Sequence, residues 1–155
     1  MNPVLRKSLG AAGAAVRRYG WLPLAVFLLH EGCAHLVDGY RRWPSIDIPL
    51  HFLGGFAIAY FAGGGLRAFS EHRLLRAPDI LLQLLLSFAL VNTVAIVWEF
   101  GEFASDHLVG TSFQLGLEDT LLDLFMGMLG GLAFLLPQLP AALRNHLLPD
   151  PETPS

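Results

Sequence analysis

Residues 95–123 read AIVWEFGEFASDHLVGTSFQLGLEDTLLD, two apolar segments with carboxylates set inside or beside them. On a helix, the i, i+3 and i+7 spacing of Glu99, Glu102 and Asp106 puts these side chains on one face. Asp119 and Asp123 are four residues apart, so they share a face of the next segment. Negative charge in such apolar surroundings has to be hydrated, protonated, paired or bound to a cation. This stretch is therefore the candidate functional region of the chain.

The composition favours a single membrane domain. The chain has 155 residues, which is the size of one domain. Hydrophobic residues make up 54% of the chain and charged residues 15%, against about 25% charged residues in a soluble domain. The net charge of −3 gives no reason to expect a nucleic-acid partner. Cys33 is the single cysteine, which excludes a disulfide within these residues.

Four apolar segments are long enough for a membrane-spanning helix, which needs about 20 residues. They are residues 20–38, 48–66, 79–104 and 117–136. No segment alternates in polarity over the length of about 10 residues expected of a barrel strand. The predicted fold class is therefore all-α, a polytopic membrane protein with a bundle of four transmembrane helices. Small residues, among them Gly54, Gly55, Gly127 and Gly131, predict close approach of the helix backbones.

The chain is expected to have three parts. Residues 1–19 are a basic N-terminal segment, and residues 20–137 form the four-helix transmembrane domain. Pro137 and Pro140 are expected to end the last helix, because proline lacks the N–H that a helix interior needs. Residues 138–155 are then a tail, and its end, residues 149–155, is expected to be disordered.

The distribution of Lys and Arg predicts the orientation in the membrane. With the N-terminus inside, eight of the ten basic residues fall in inner segments, and the other two, Arg41 and Arg42, fall in an outer loop. Both termini are therefore predicted to be cytoplasmic. The expected location is the bacterial cytoplasmic (inner) membrane, with several passes across it.

This topology brings ionisable side chains from all four helices into the outer half of the membrane. Each helix supplies a pair about one turn apart, namely Glu31 with His35, Asp47 with His51, Glu99 with Glu102, and Asp119 with Asp123. Asp38 and Asp106 lie one turn further along the first and third helices. An unpaired charge at the bilayer centre costs about 2.5–3.5 kcal/mol on the insertion scale, and two arginines cannot neutralise this layer. A divalent metal ion or shared protons are the alternatives.

Candidate roles follow from the residue types. The candidate catalytic residues are Glu99, Glu102, Asp123 and His51. The candidate metal ligands are His51, Glu99, Glu102, Asp123, Asp119, Asp47, His35 and Glu31. Mixed imidazole and carboxylate ligands leave zinc, manganese and iron open as the cofactor.

Simpler structural roles are open for several of these residues. Asp47 can act as a helix N-cap, and Asp119 can stabilise the dipole of the helix that it opens. Asp106 and His107 are compatible with a solvated loop. Trp98 fits either an interfacial aromatic belt or the lining of the site.

Three motifs resemble the YjdF-like inner-membrane proteins and, more distantly, the VanZ-like proteins. They are DIPLHFLGGFAIAYF (47–61), WEFGEFASD (98–106) and EDTLLDLFMGMLGG (118–131). The shared pattern is Asp-x-x-x-His opening one helix, Trp-Glu near the end of the next, and Asp-x-x-x-Asp opening the last. Gly127 departs from the VanZ-like pattern, in which a polar Asn or Asp is expected. The VanZ-like resemblance implies a role in the cell envelope, such as low-level glycopeptide resistance in some members, and it leaves the biochemical activity open.

Three classes of function remain on this evidence. The first is a metal-dependent or acid–base enzyme that acts on a membrane lipid or a lipid-linked envelope substrate. The second is a cation- or proton-linked carrier, although the chain shows no inverted repeat. The third is a non-catalytic envelope protein with a structural polar core. The sequence contains no Gly-x-Ser-x-Gly motif and no phosphate-binding glycine loop, and it leaves the substrate and the oligomeric state open.

Overall fold

The computed structural model describes residues 2–36, 42–76 and 79–147. Asp38, Arg41 and residues 149–155, on which parts of the sequence analysis rest, lie outside the described residues. Every element in the described part of the chain is helical. The α-helices are α1 (Pro3–Tyr19), α2 (Trp21–Glu31), α3 (Asp47–Glu71), α4 (Ile80–Val109), α5 (Leu117–Leu135) and α6 (Leu139–Leu147). A π-helical turn, Gly32–Leu36, continues α2, and short 3-10 turns, Pro44–Ile46 and Leu136–Gln138, precede α3 and α6.

Helix α3 is the centre of the bundle, since α1, α2, α4 and α5 all pack against it. The Trp21 indole N–H of α2 donates to the Tyr60 hydroxyl of α3 at 3.4 Å, so the start of α2 lies beside the second half of α3. The side-chain amide of Gln83 in α4 donates to the Gly63 carbonyl, whereas Glu99 of α4 lies beside His51. Helices α2 and α4 therefore both run antiparallel to α3.

The packing is that of a bundle surrounded by lipid. The buried residues of α3 are mostly small, among them Ala57, Ala59 and Ala62. Large apolar side chains such as Leu85 and Phe100 face outward and are 59% and 68% exposed. Small residues let helix backbones approach in a membrane, where apolar side chains gain nothing by leaving the lipid. The arrangement agrees with a membrane environment for α3, α4 and α5.

Three helices are long and apolar enough to cross a membrane. They begin at Asp47, Ile80 and Leu117, which agrees with three of the four predicted segments. The fourth, predicted at 20–38, is the shorter apolar helix Trp21–Leu36. Helix α5 ends at Leu135, but the chain stays helical through the 3-10 turn into α6, which contains Pro140. The described residues thus form an all-helical membrane protein with three long helices and one shorter apolar helix.

The basic N-terminal segment is a helix packed on the bundle. The side chain of Asn2 accepts a hydrogen bond from the Val4 backbone N–H and so caps α1. Ala14 and Ala15 of α1 are buried together with Ala68 of α3. An exposed ion pair at 2.7 Å joins Arg18 of α1 to Glu71 at the end of α3. Such a pair contributes about 0–1 kcal/mol, so the alanine contact holds α1 in place.

Candidate metal centre

His51 lies at the centre of a buried cluster formed by α3, α4 and α5. Its Nε2 atom is 3.3 Å from Asp47 Oδ1, one turn earlier in α3, and 3.9 Å from Asp123 Oδ1 in α5. Its Nδ1 atom is 4.0 Å from Glu99 Oε1 in α4. The two ring nitrogens therefore face carboxylates on opposite sides of the imidazole.

Two groups of side chains in the described part of the chain have their potential ligand atoms close enough to share a metal ion. One group is Asp47, His51 and Asp123, and the other is His51, Glu99 and Glu102. Within each group the ligand atoms lie within 4.8 Å of one another. In a tetrahedral zinc site with each ligand about 2.1 Å from the ion, the donor atoms lie about 3.4 Å from one another. Each group therefore needs side-chain movements of less than about 1 Å to close on an ion.

The carboxylates of the cluster are buried, and several of their oxygens are unsatisfied. Asp123 is 2% exposed, Glu99 5% and Glu102 6%. The side chains of Gln114 and Thr120 lie within interaction range of Glu99, yet neither of its oxygens accepts a hydrogen bond of ordinary geometry from the described residues. A buried carboxylate usually has hydrogen-bond partners or a cation, because desolvating the charge is costly. Glu99 thus has the environment expected of a ligand.

Trp98 orients the second glutamate of the cluster. Its indole N–H donates to Glu102 Oε1 at 2.8 Å, which fixes the carboxylate that sits one turn further along α4. Outer hydrogen bonds of this kind orient metal-ligating carboxylates in proteins. Of the two roles that the sequence leaves open for Trp98, the structure supports the lining of the site.

His30 also belongs to this region, although it is not among the residues predicted from the sequence. It is 7% exposed, and its ring packs edge-on against Trp98 with centroids 5.0 Å apart. Its position three residues after Phe27 and seven after Pro23 is a helical signal for a shared face, and all three line one cavity. The sequence instead predicts the neighbouring pair Glu31 and His35, because these two residues are also at helical spacing.

The structure places Glu31 and His35 beside the cluster and outside both groups around His51. They lie 3.5 Å from each other, and their side chains are 40% and 60% exposed. The π-helical turn Gly32–Leu36 begins between them, and its wider winding changes which way the side chains point. Their candidate role as ligands therefore has less geometric support than that of His51 and Glu99.

Asp119 and Asp106 hold backbone at this end of the bundle. Asp119 accepts a hydrogen bond from the Leu115 backbone N–H just before α5, which agrees with the simpler role at the helix start. Asp106 accepts from the Thr111 hydroxyl and from the backbone N–H groups of Phe113 and Gln114, at 2.6–2.9 Å. These bonds fold the loop between α4 and α5 back towards the cluster, so that Phe113 lies 6.0 Å from His30, centroid to centroid.

An apolar cavity of about 250 Å³ opens beside the cluster. At one end it is lined by His30, His51 and Trp98, and at the other by Pro23, Ile58 and Val91. Gly54, Gly55 and Gly127 form part of its wall. The cavity thus joins a polar end at the His51 cluster to an apolar end between the same helices.

These features define the class of the protein as a helical, polytopic membrane protein with a buried cluster of histidine and carboxylates. The chain belongs to the family described as "Predicted membrane protein (DUF2238)", which it matches over residues 16–139. This is the YjdF family, so the resemblance to YjdF-like proteins is supported, and the VanZ-like resemblance stays a prediction.

A relative in Thermotoga maritima, described as "Uncharacterized protein", is 32% identical over 110 residues, which are 70% of this chain. The match covers 55% of that relative, so the chain spans about half its length. No solved structure matches the chain.

Proposed function

We propose that the protein is a membrane enzyme whose His51 cluster binds a divalent metal ion and acts on a lipid or lipid-linked envelope substrate. The observation that carries the proposal is Glu99. Both of its oxygens are buried, accept no hydrogen bond of ordinary geometry from the described residues, and lie on the Nδ1 side of His51. A divalent ion bound beside Glu99 offsets the negative charge of the buried carboxylates.

We assign the metal to His51 Nδ1, Glu99 and Glu102. Asp47 is the carboxylate nearest to the ring, 3.3 Å from Nε2, where it can accept the Nε2–H and fix the tautomer. Metal-bound histidines commonly donate their other N–H to a carboxylate in this way. Asp123, on the same side as Asp47, then adds negative charge to the cluster without being a ligand.

The same geometry supports a chemical role. A metal of this kind supplies Lewis acidity or an activated water. The imidazole and carboxylates on the Nε2 side, His51, Asp47 and Asp123, can hold and pass a proton close to the cavity. His30, at the same end of the cavity as His51, is a second group that can exchange a proton with a bound molecule.

The first test of this proposal measures metal and thermal stability in detergent. A chelator is expected to lower the melting temperature, and zinc, manganese or iron is expected to restore it. Binding to the folded state alone stabilises by about 2.7 kcal/mol at a hundredfold excess over Kd, which corresponds to roughly 5–10 °C for a domain of this size. His51→Ala should lose this response. His72→Ala is the control, because His72 contacts the Ala68 carbonyl, far from the cluster.

Two results would contradict the proposal. One is wild-type protein without stoichiometric metal by elemental analysis that melts identically with and without chelator. The other is a His51→Ala variant that keeps the full metal response. The first result favours the alternatives of a carrier or of a structural polar core.

We further propose four membrane crossings, with α2 and the π-helical turn after it, Trp21–Leu36, making the first and both termini in the cytoplasm. The basic residues of the chain support this orientation. Cysteine is introduced at Arg76 or Ser112, both exposed, in a Cys33→Ala background. An impermeant maleimide should label the Ser112→Cys variant in intact cells, and the Arg76→Cys variant after permeabilisation alone. The reverse pattern would refute the orientation, and labelling of both from outside would refute the crossing by α4.

A further inference from the structure

We propose that the cavity beside His51 is a slot for one hydrocarbon chain of a membrane lipid, whose polar end meets the metal centre. This inference rests on the proposed function and specifies its substrate class. Its source is the cavity itself, which has a histidine-lined end and an apolar end within a single space.

The dimensions of the cavity match a chain from one leaflet. Each of three helices contributes a stretch of eight residues, which spans seven residue steps, from Pro23 to His30, from His51 to Ile58, and from Val91 to Trp98. At 1.5 Å per residue, the cavity extends about 10 Å along the helix axes. One leaflet contributes about half of a hydrocarbon core that is about 30 Å thick. The slot therefore covers about two thirds of the depth of one leaflet.

The volume of the cavity also fits a single hydrocarbon chain. A cavity of about 150 Å³ holds benzene, with its six carbon atoms. In proportion, the 250 Å³ of this cavity holds roughly ten carbon atoms, which is a single chain and not a pair.

The helix that separates the cavity from the outside faces lipid, so hydrocarbon chains lie close to the cavity. On α2, which forms one wall, Leu24, Leu28 and Leu29 are 49–59% exposed, as expected for a helix that faces lipid. A lipid chain therefore needs to pass one short helix to reach the slot. The carboxylates within 4.0 Å of the His51 ring repel an anionic head group unless a cation is bound, so a metal ion there and an anionic lipid head complement each other in charge.

Gly54 is the wall position that keeps the slot open. A Cβ atom added at Gly54 meets nothing within 4 Å, although the residue lines the cavity. A larger side chain at this position is therefore expected to extend into the slot. Gly65, on the same helix, has the same open surroundings and is not part of the cavity, so it is a matched control.

The experiment uses full-length protein in vesicles of phosphatidylethanolamine and phosphatidylglycerol that contain a phosphatidylglycerol with a photoreactive diazirine in one acyl chain. After illumination, crosslinked peptides are mapped by mass spectrometry, and the metal content of each sample is measured. Wild-type protein should be crosslinked at cavity residues such as Val26, Ile58 and Val94. Gly54→Leu should reduce these crosslinks at least about tenfold, because it displaces several methylenes, each worth about fourfold in affinity. Gly65→Leu should leave them unchanged.

The outcomes separate this inference from the proposed function. Crosslinks spread over outward residues such as Leu85 and Phe100, with equal yield in all variants, would overturn the slot even if the metal is present. Cavity crosslinks that Gly54→Leu removes, in protein without metal, would support the slot and contradict the metal centre. Should Gly54→Leu fail to fold, Gly54→Ala gives the same test with a smaller reduction, and an unchanged yield in that variant would overturn the slot.

Discussion

Gly55→Ala is expected to lower the melting temperature and the yield of folded protein. A Cβ atom at position 55 would overlap the backbone carbonyl of Gly127 in α5. Backbone cannot swing aside as the end of a flexible side chain can, so α3 and α5 would have to separate. Extra atoms in a well-packed core usually cost about 1–3 kcal/mol, and this contact lies at the high end because both partners are main chain. The separation would also open the His51 cluster, which these two helices share.

The neighbouring residue provides the control for this prediction. Gly54→Ala adds the same methyl group one residue away, where nothing lies within 4 Å, and it should yield folded protein at the wild-type level. Gly130→Ala, whose Cβ would overlap the Phe52 carbonyl, should behave like Gly55→Ala. The measurement is the monodisperse fraction in size-exclusion chromatography in detergent, together with the melting temperature. Equal yields for Gly54→Ala and Gly55→Ala would show that the two helices are not in this contact.

The sequence predicts the long helices and the small-residue contacts well, because both depend on local composition. The segment 79–104 is predominantly apolar and becomes the core of α4, Ile80–Val109. Gly55 and Gly127 belong to the predicted contact residues and meet at the crossing of α3 and α5. The prediction did not distinguish Gly55 from Gly54, because which of two adjacent glycines faces a partner depends on helix rotation.

The candidate site is partly predictable, because helical spacing and topology are both readable from the sequence. Successive helices of the bundle run in opposite directions, so spacing and topology bring certain residues together at one end. These residues are His51, Glu99, Glu102 and Asp123. The spacing of His30 from Phe27 and Pro23 indicates a shared face of α2. Whether that face points into the bundle depends on how α2 packs, which helical spacing does not reveal. Helix α1 was not predicted either, because a short run of alanines between basic residues is a weak helix signal. The stability of α1 comes from its contact with Ala68.

Glu99→Gln is expected to abolish stoichiometric metal binding while leaving the bundle folded. Glutamine has nearly the same shape as glutamate, but its neutral amide is a poor ligand for a divalent ion. The difference in melting temperature between Glu99→Gln and the wild type should change sign when metal is added. With chelator, the variant should melt at or above the wild-type temperature, because it removes one negative charge from a buried group that includes Glu102, Asp47 and Asp123. With metal, it should melt below the wild type, because it lacks the stabilisation by binding.

Glu71→Gln is the matched control for this change of sign. Glu71 ends α3 and pairs with Arg18 on the surface, where both side chains are about half exposed, so its loss should cost at most about 1 kcal/mol. That cost should be equal with and without metal, and the metal-induced rise in melting temperature should stay at the wild-type value. The measurements are elemental analysis and melting curves of the three proteins in the same detergent. A Glu99→Gln variant that binds metal stoichiometrically and shows the full rise would remove Glu99 from the ligand set, and with it the assignment of the ion to the Nδ1 side of His51.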